Sequence, residues 1–108
     1  MSIPSAIYGP TLGAIASCAV RITEHATEAM RDDAVTLDDV LHAASSGEVI
    51  EDYPGGFPFP SCLVLGGTPD GGIIHSVWAF NGTTRTAILV TCYRPDPGRW
   101  IDHRVRKP

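Results

Sequence analysis

The sequence predicts an α+β fold, in which two or three N-terminal helices pack on a four-stranded antiparallel sheet. Apolar residues recur at helical spacing in the first part of the chain, whereas from Glu48 onward they form short runs rich in β-branched residues. Two turn sequences divide these runs: Thr68–Gly72, and Asn81–Gly82, whose Asn-Gly pair is typical of a hairpin. Helices followed by a meander of strands are typical of the α+β class.

Each predicted helix begins after a threonine suited to capping the first turn. Thr11 precedes an apolar stripe at helical spacing, Thr23 precedes a segment with two early glutamates, and Thr36 precedes two aspartates. Between the first two helices, Val20–Ile22 is interpreted as either a short strand or a turn.

The predicted strands are Glu48–Tyr53, Ser61–Gly66, Ile73–Phe80 and a last one from Thr83 or Thr84 to Tyr93. Between the first two, the run YPGGFPFP predicts a rigid corner, since its prolines interrupt regular hydrogen bonding, with Phe57 and Phe59 covering one end of the core. Prolines and a glycine near the start predict a loose arm over residues 1–10. A single domain is expected over residues 11–101, with a basic tail over residues 102–108.

Charge is distributed unevenly along a chain whose composition is otherwise that of an ordinary globular protein. Of the 108 residues, 44% are hydrophobic and 19% are charged, and the net charge is −4. Residues 1–60 hold two basic and nine acidic side chains, whereas residues 61–108 hold six basic and three acidic ones. The asymmetry is compatible with an anionic partner, a self-complementary surface or simply solvated faces. No apolar run approaches the roughly 20 residues that span a bilayer, so no membrane association is expected.

The cysteines and histidines do not form a recognisable ligand pattern. Cys18, Cys62 and Cys92 lack the spacing of a metal or redox motif, and their odd number in apolar surroundings predicts reduced thiols in a cytoplasmic protein. The four histidines include no ligand pair either. Neither a metal nor another cofactor is predicted.

Five segments occur in the order known from a bacterial protein family. They are RITEHATEAM, TLDDVLHAASSGEVIEDYP, PFPSCLVLGG, IIHSVWAF and VTCYRPDPGRW, and they cover roughly residues 20–101. In this combination the chain resembles the DUF4258 family, a domain of unknown function. The resemblance implies the small α+β fold of RelE/ParE-type toxins and related ribonucleases. It also implies cleavage of RNA, free or on the ribosome, and an antitoxin-like protein partner.

Cleavage of RNA without a metal needs a base, an acid and a cation that stabilises the phosphate. His25 and His75 are the candidates for proton transfer because imidazole titrates near neutral pH, and Tyr93 is a third catalytic candidate. Arg85 and Arg94 are the candidates for phosphate binding, since a guanidinium group contacts two phosphate oxygens at once. These five residues are the predicted site.

Four of the five candidates also have a purely structural interpretation. Strand alternation places His75 on a mostly apolar face, where it fits a core histidine satisfied by one backbone partner. His25 fits an exposed or helix-to-loop residue, Tyr93 a half-buried strand aromatic, and Arg94 a surface residue near a turn. The alternative function is a non-catalytic protein-interaction module or a homo-oligomer such as a homodimer. The acidic net charge favours this alternative, because nucleic-acid binders are typically basic.

Overall fold

The computed structural model describes residues 3–108, and its elements follow the predicted change from helices to strands. In chain order they are α1 (Tyr8–Ala16), β1 (Val20–Ile22), α2 (Glu24–Asp32), α3 (Leu37–Ser45), β2 (Glu48–Tyr53), β3 (Ser61–Gly67), β4 (Ile73–Asn81), β5 (Thr86–Tyr93), β6 (Trp100–Ile101) and β7 (Val105–Arg106). One sheet has the strand order β1-β5-β4-β3-β2, and β6 and β7 form a separate hairpin. The α+β class is confirmed.

The main sheet is mixed, not purely antiparallel. Strands β2 to β5 form the predicted antiparallel meander, but β1 adds a fifth strand that runs parallel to β5, with Val20 opposite Ala87 and Ile22 opposite Leu89. The prediction of a four-stranded antiparallel sheet was therefore wrong. A strand of three residues is too short to show a period of its own, which is why the sequence left it open as a strand or a turn.

The caps predicted for the second and third helices are confirmed. The Thr23 hydroxyl accepts a hydrogen bond from the Ala26 amide at 3.0 Å. At α3, the Thr36 hydroxyl accepts from the Asp39 amide at 3.1 Å while the Asp39 carboxylate accepts from the Thr36 amide at 3.2 Å. This reciprocal capping box satisfies two backbone donors that a helix N-terminus otherwise leaves unpaired.

The first helix begins earlier than its sequence predicted. It starts at Tyr8 without a side-chain cap, and Thr11 lies inside it with only 1% of its surface exposed. Burial of Ile7 and the Tyr8 hydroxyl, which lies 2.7 Å from the carbonyl oxygen of Ala44, fix the start of the helix. Within the predicted loose arm, Ile7 and Tyr8 thus pack against the body, whereas Ile3, Pro4, Ala6, Gly9 and Pro10 are exposed, and residues 1–2 lie outside the described range.

The two faces of the sheet have different coverings. On one face of β4, the side chains of Ile74, Trp78 and Phe80 point into the core that the sheet shares with the three helices. The residues between them point to the opposite face, which we call the second face. The basic tail is not a free extension, because β6 and β7 fold back as a hairpin and place Trp100, 6% exposed, against the ring of His75 on that face.

The corner between β2 and β3 keeps the chain out of regular structure over residues 54–60, as its prolines predict. The expectation that Phe57 covers one end of the core was wrong, since 96% of its surface is exposed. The corner therefore turns the chain without contributing that side chain to the interior.

Gly66 is predicted to tolerate no side chain, because β3 passes closest to α3 at this residue. A Cβ atom there would overlap the carbonyl oxygen of Ala43. We expect Gly66→Ala to lower the free energy of unfolding, measured by urea denaturation, by about 1–3 kcal/mol or more. Gly82→Ala is the matched control, since a Cβ at Gly82 meets no atom within 4 Å. Equal stability of the two variants would contradict this packing.

Candidate anion-binding cleft

A β-bulge at Val90 decides which face of the sheet Tyr93 occupies. Leu89 and Tyr93 are four residues apart, so in a regular strand both would point to the same face. Because the bulge inserts one extra residue, Leu89 packs under the helices and Tyr93 lies opposite His75 on the second face. The Thr23 hydroxyl donates to the Val90 carbonyl at 2.9 Å, which ties the bulge to the start of α2.

His75 is completely buried between the sheet and the hairpin. Its Nε2 atom lies 2.5 Å from the carbonyl oxygen of His103, and its Nδ1 atom lies 3.3 Å from the Tyr93 hydroxyl. The Trp100 ring meets the imidazole edge-on, with ring centroids 4.5 Å apart. Burial lowers the pKa of His75, although the bond to His103 acts in the opposite direction. The imidazole is therefore neutral at pH 7 and has a partner at each nitrogen, which matches the interpretation of a core histidine.

The turn of the hairpin is held in a conformation that its residues rarely adopt. Asp102 and His103 have φ angles of 51° and 62°, in the left-handed region that favours glycine. Each such residue costs on the order of 1 kcal/mol. This turn presents the His103 carbonyl to the buried imidazole, so the bond at His75 offsets part of that cost.

Acidic side chains on β2 hold the hairpin from its other side. Arg106 donates to both carboxylate oxygens of Glu51, at 3.0 and 3.1 Å, and Arg104 forms an ion pair with Glu48. Burial raises the pKa of Glu51, but hydrogen bonds from Arg106 and Tyr53 outweigh it and leave the pKa below its usual value. The Arg106 guanidinium also lies 4.7 Å from the centroid of the Trp100 ring, within range of a cation–π interaction.

An open cleft of about 800 Å³ lies between the end of β5 and the hairpin. We call it the basic cleft, because among its described lining residues four side chains are cationic and one, Asp96, is a carboxylate. The Asp96 carboxylate already accepts a hydrogen bond from the Gly98 amide at 2.8 Å. The residues that line the basic cleft are Val77, Thr91, Tyr93, Arg94, Asp96, Gly98, Arg99, Trp100, Arg106, Lys107 and Pro108.

The four cations of the basic cleft are held to different degrees. Arg106 is paired with Glu51, and Arg94 is positioned by Asp33, whose carboxylate accepts from the Arg94 amide at 2.8 Å and whose carbonyl accepts from its Nε at 3.2 Å. Arg99 and Lys107 are exposed, and within residues 3–108 neither makes an ion pair. Two positive charges are thus available to an anion in the cleft.

The structure brings three of the five predicted site residues to one place. Tyr93 and Arg94 line the basic cleft, and His75 lies beneath it in contact with Tyr93. His25 is exposed in the first turn of α2, on the side of the sheet that carries the helices, and does not line the cleft. The two histidines predicted to share proton transfer are therefore not brought together.

Arg85 lies at the other end of the molecule from Arg94. It precedes β5 and Arg94 follows it, so the eight residues of β5 separate them by about 25 Å at roughly 3.3 Å per residue. Arg85 is exposed beside a different pocket, between the β4–β5 turn and α1. The two arginines predicted to bind phosphate therefore do not lie in one site.

Sequence reasoning missed the residues that the hairpin and β2 contribute. The sequence places Arg106 and Lys107 in the basic tail and Arg99 just before it, but their position in a cleft depends on the fold of the hairpin. Glu51 gave no signal beyond an alternating strand. The one local hint was Trp100, a large aromatic residue in an otherwise polar segment, which is typical of an anchor.

Comparison with known proteins gives a family but no closer relative. The family model for DUF4258, described as a domain of unknown function, matches residues 22–94. The chain belongs to the DUF4258 family. Neither a curated protein nor a solved structure matches it. The DUF4258 match runs from β1 to the residue after β5, so α1 precedes it and the hairpin follows it.

Two further properties bear on the predicted partners and cofactors. Over residues 3–108, no helix has the length and apolar character needed to cross a membrane. Across the same residues, histidine, cysteine, aspartate and glutamate side chains do not gather in groups of three or more that would suit a metal ion.

The buried position of His75 predicts a loss of stability in mild acid. A histidine whose pKa is lowered on folding stabilises the protein fully above its unfolded pKa of about 6.5, and this contribution is lost as the pH falls below that value. We expect the free energy of unfolding to decrease from about pH 6.5 towards pH 5, by at most about 1.4 kcal/mol per pH unit, the limit for uptake of one proton.

Urea denaturation across this pH range measures the effect. His75→Gln should remove most of the slope, whereas His42→Gln, at an exposed position on α3, should leave it in place. A slope that persists unchanged in His75→Gln would contradict the assignment of the effect to the buried imidazole.

Proposed function

We propose that this DUF4258 protein binds single-stranded RNA through the basic cleft. The observation that carries the proposal is the charge of the cleft, where four cations face one carboxylate and Arg99 and Lys107 have no ion-pair partner among residues 3–108. Phosphate contacts supply most of the affinity of nucleic-acid binding, and such clusters of arginine and lysine are what they require. The relationship to RelE/ParE-type toxins that the DUF4258 resemblance implies favours RNA as the anion.

The size of the cleft favours a short, extended strand over a duplex. Its volume of about 800 Å³ falls within the range of roughly 300–1,000 Å³ that is typical of pockets enclosing small ligands. The residues that line it lie mainly at the end of β5 and on the hairpin. A single strand fits such a cleft because its backbone follows a positively charged groove while its bases remain free to stack. Tyr93, which is half-buried, provides aromatic surface at this place, whereas Trp100, on the hairpin, is buried.

Binding is supported better than acid–base catalysis by a histidine pair. Catalysis of this kind needs proton donors and acceptors within hydrogen-bond reach of the reacting group. His25 is on the helix-bearing side of the sheet, and His75 is fully buried with both nitrogens engaged. Neither imidazole faces the cleft as a free acid or base.

The cleft cations are predicted to determine the salt dependence of RNA binding. We expect Arg99→Ala and Lys107→Ala each to weaken the binding of a fluorescein-labelled oligouridylate. Each should weaken the binding of an oligomer of another base sequence by about the same factor, because a phosphate contact does not depend on the base. Each should also reduce the slope of log K against log salt by roughly 0.7, the value for one phosphate contact to a single strand. Fluorescence anisotropy at several salt concentrations measures both quantities.

Arg85→Ala is the matched control, because Arg85 is an exposed arginine outside the basic cleft. It should leave affinity and slope close to those of the wild type. An equal loss in Arg85→Ala would mean that binding follows overall charge and not the cleft. Absence of any measurable binding by the wild-type protein would refute the proposal.

Metal-independent cleavage of RNA is the second candidate, and the contact between Tyr93 and His75 favours it. In such a reaction the ribose 2′-hydroxyl would pass its proton to the Tyr93 oxygen as Tyr93 passes its own to Nδ1 of His75. The 2′-oxygen would bond to phosphorus as the bond between phosphorus and the 5′-oxygen breaks, leaving a 2′,3′-cyclic phosphate. The departing 5′-oxygen would take a proton from water, and the hydroxide so formed would take the extra proton of His75 through Tyr93, restoring the neutral imidazole. Arg94 would stabilise the charge that develops on the phosphate.

The binding proposal predicts that end-labelled RNA remains intact when incubated with the protein in the presence of EDTA, as seen on a denaturing gel. The second candidate requires a different result. Cleavage that yields 2′,3′-cyclic phosphate ends, disappears in Tyr93→Phe and is unchanged in His25→Ala would establish it in place of pure binding.

A further inference from the structure

The contact between His75 and His103 fixes which nitrogen of the imidazole carries the proton. A carbonyl oxygen can only accept a hydrogen bond, so at 2.5 Å from the His103 carbonyl the Nε2 atom must carry the hydrogen. A neutral imidazole has one N–H group, and His75 is buried and neutral at pH 7. Its Nδ1 atom is therefore bare and accepts a hydrogen bond.

The bare Nδ1 atom in turn orients the Tyr93 hydroxyl. The phenol has one hydrogen, and with Nδ1 at 3.3 Å as an acceptor that hydrogen points towards His75. No other hydrogen bond to this hydroxyl forms among residues 3–108. Tyr93 is half-buried and lines the basic cleft, so where its oxygen faces the cleft it offers lone pairs and no hydrogen.

The Tyr93 oxygen and the Asp96 carboxylate are acceptors in a cleft whose other charged side chains are hydrogen-bond donors. Arg94, Arg99 and Lys107 are donors and suit phosphate oxygens, whereas the Tyr93 oxygen, oriented by His75, does not. Tyr93 instead suits a group of the ligand that donates. Along the sugar–phosphate backbone of a nucleic acid, the ribose 2′-hydroxyl is such a donor, and deoxyribose lacks it.

We infer that Tyr93 is a specificity-determining residue that distinguishes RNA from DNA by accepting a hydrogen bond from a ribose 2′-hydroxyl. The inference rests on the proposed function, because it assigns a role to one side chain of the same cleft. Two kinds of group then bind the ligand in the cleft. The cations bind phosphate in both RNA and DNA, whereas Tyr93 binds the ribose by accepting a hydrogen bond from its 2′-hydroxyl.

Three labelled oligomers of equal length and base composition test this assignment: oligouridylate, oligodeoxyuridylate and 2′-O-methyl oligouridylate. The methylated strand keeps an RNA-like sugar but has lost the donor hydrogen. Fluorescence anisotropy should show the unmodified RNA binding roughly three- to tenfold more tightly than either of the others, the range expected for one hydrogen bond. The comparison needs only the wild-type protein, so it does not depend on the folding of any variant.

Tyr93→Phe provides the second arm. It should bring the affinity for RNA down to that for DNA while leaving the affinity for DNA and its salt dependence unchanged. Tyr8→Phe is the matched control, since it removes a tyrosine hydroxyl that contacts α3 on the helix side, and the RNA preference should persist in it.

The possible results separate this inference from the proposal on which it rests. Failure of all three strands to bind would refute the proposed function. Equal binding of all three, with a normal salt dependence, would retain RNA-phosphate binding and overturn the role of Tyr93. Equal binding of RNA and the 2′-O-methyl strand, both tighter than DNA, would also overturn it, because the cleft would then read sugar shape and not a donor.

Discussion

The hydrogen bond from the His75 imidazole to the His103 carbonyl holds the C-terminal hairpin on the second face of the sheet. A buried nitrogen left without a partner costs about 1–3 kcal/mol, so the imidazole strongly favours the conformation in which both of its nitrogens are bonded. The same bond supports a turn whose residues have positive φ angles. Because Trp100 packs on this ring and Tyr93 bonds to it, both walls of the basic cleft take their position from one side chain.

Charge pairing within the chain explains how an acidic protein presents a basic cleft. The sequence separates acidic residues in its first part from basic ones in its second, and the fold places strand β2 beside the hairpin. Glu48 and Glu51 then neutralise Arg104 and Arg106 inside one molecule. These ion pairs within one molecule leave less opposite charge for attraction between two copies. Arg99 and Lys107, by contrast, make no ion pair among residues 3–108 and line the cleft. The local arrangement of charged side chains, and not the net charge of the protein, therefore determines that the cleft attracts an anion.

Features with a local physical signal could be predicted from the sequence, and those that depend on distant contacts could not. Thr23 and Thr36 cap helices because their hydroxyls reach the next turn. The bulge at Val90 left no trace, since it lies in the apolar run Ala87–Val90, where alternation cannot be seen. As a result the face occupied by Tyr93 was not predictable. The separation of Arg85 from Arg94 was predictable, because a strand of eight residues lies between them.

The family match divides the basic cleft in two. Tyr93 and Arg94 fall within the DUF4258 region, residues 22–94, whereas Arg99, Trp100 and the other hairpin residues follow it. The matched region therefore contains strands β2 to β5, the bulge that turns Tyr93 outward and one arginine of the cleft, but not the hairpin. The tautomer of His75, and with it the direction of the Tyr93 hydroxyl, depends on the segment that lies outside the match. In this chain, the proposed contact of Tyr93 with a ribose 2′-hydroxyl therefore requires the hairpin, because the His103 carbonyl orients His75 and His75 orients Tyr93.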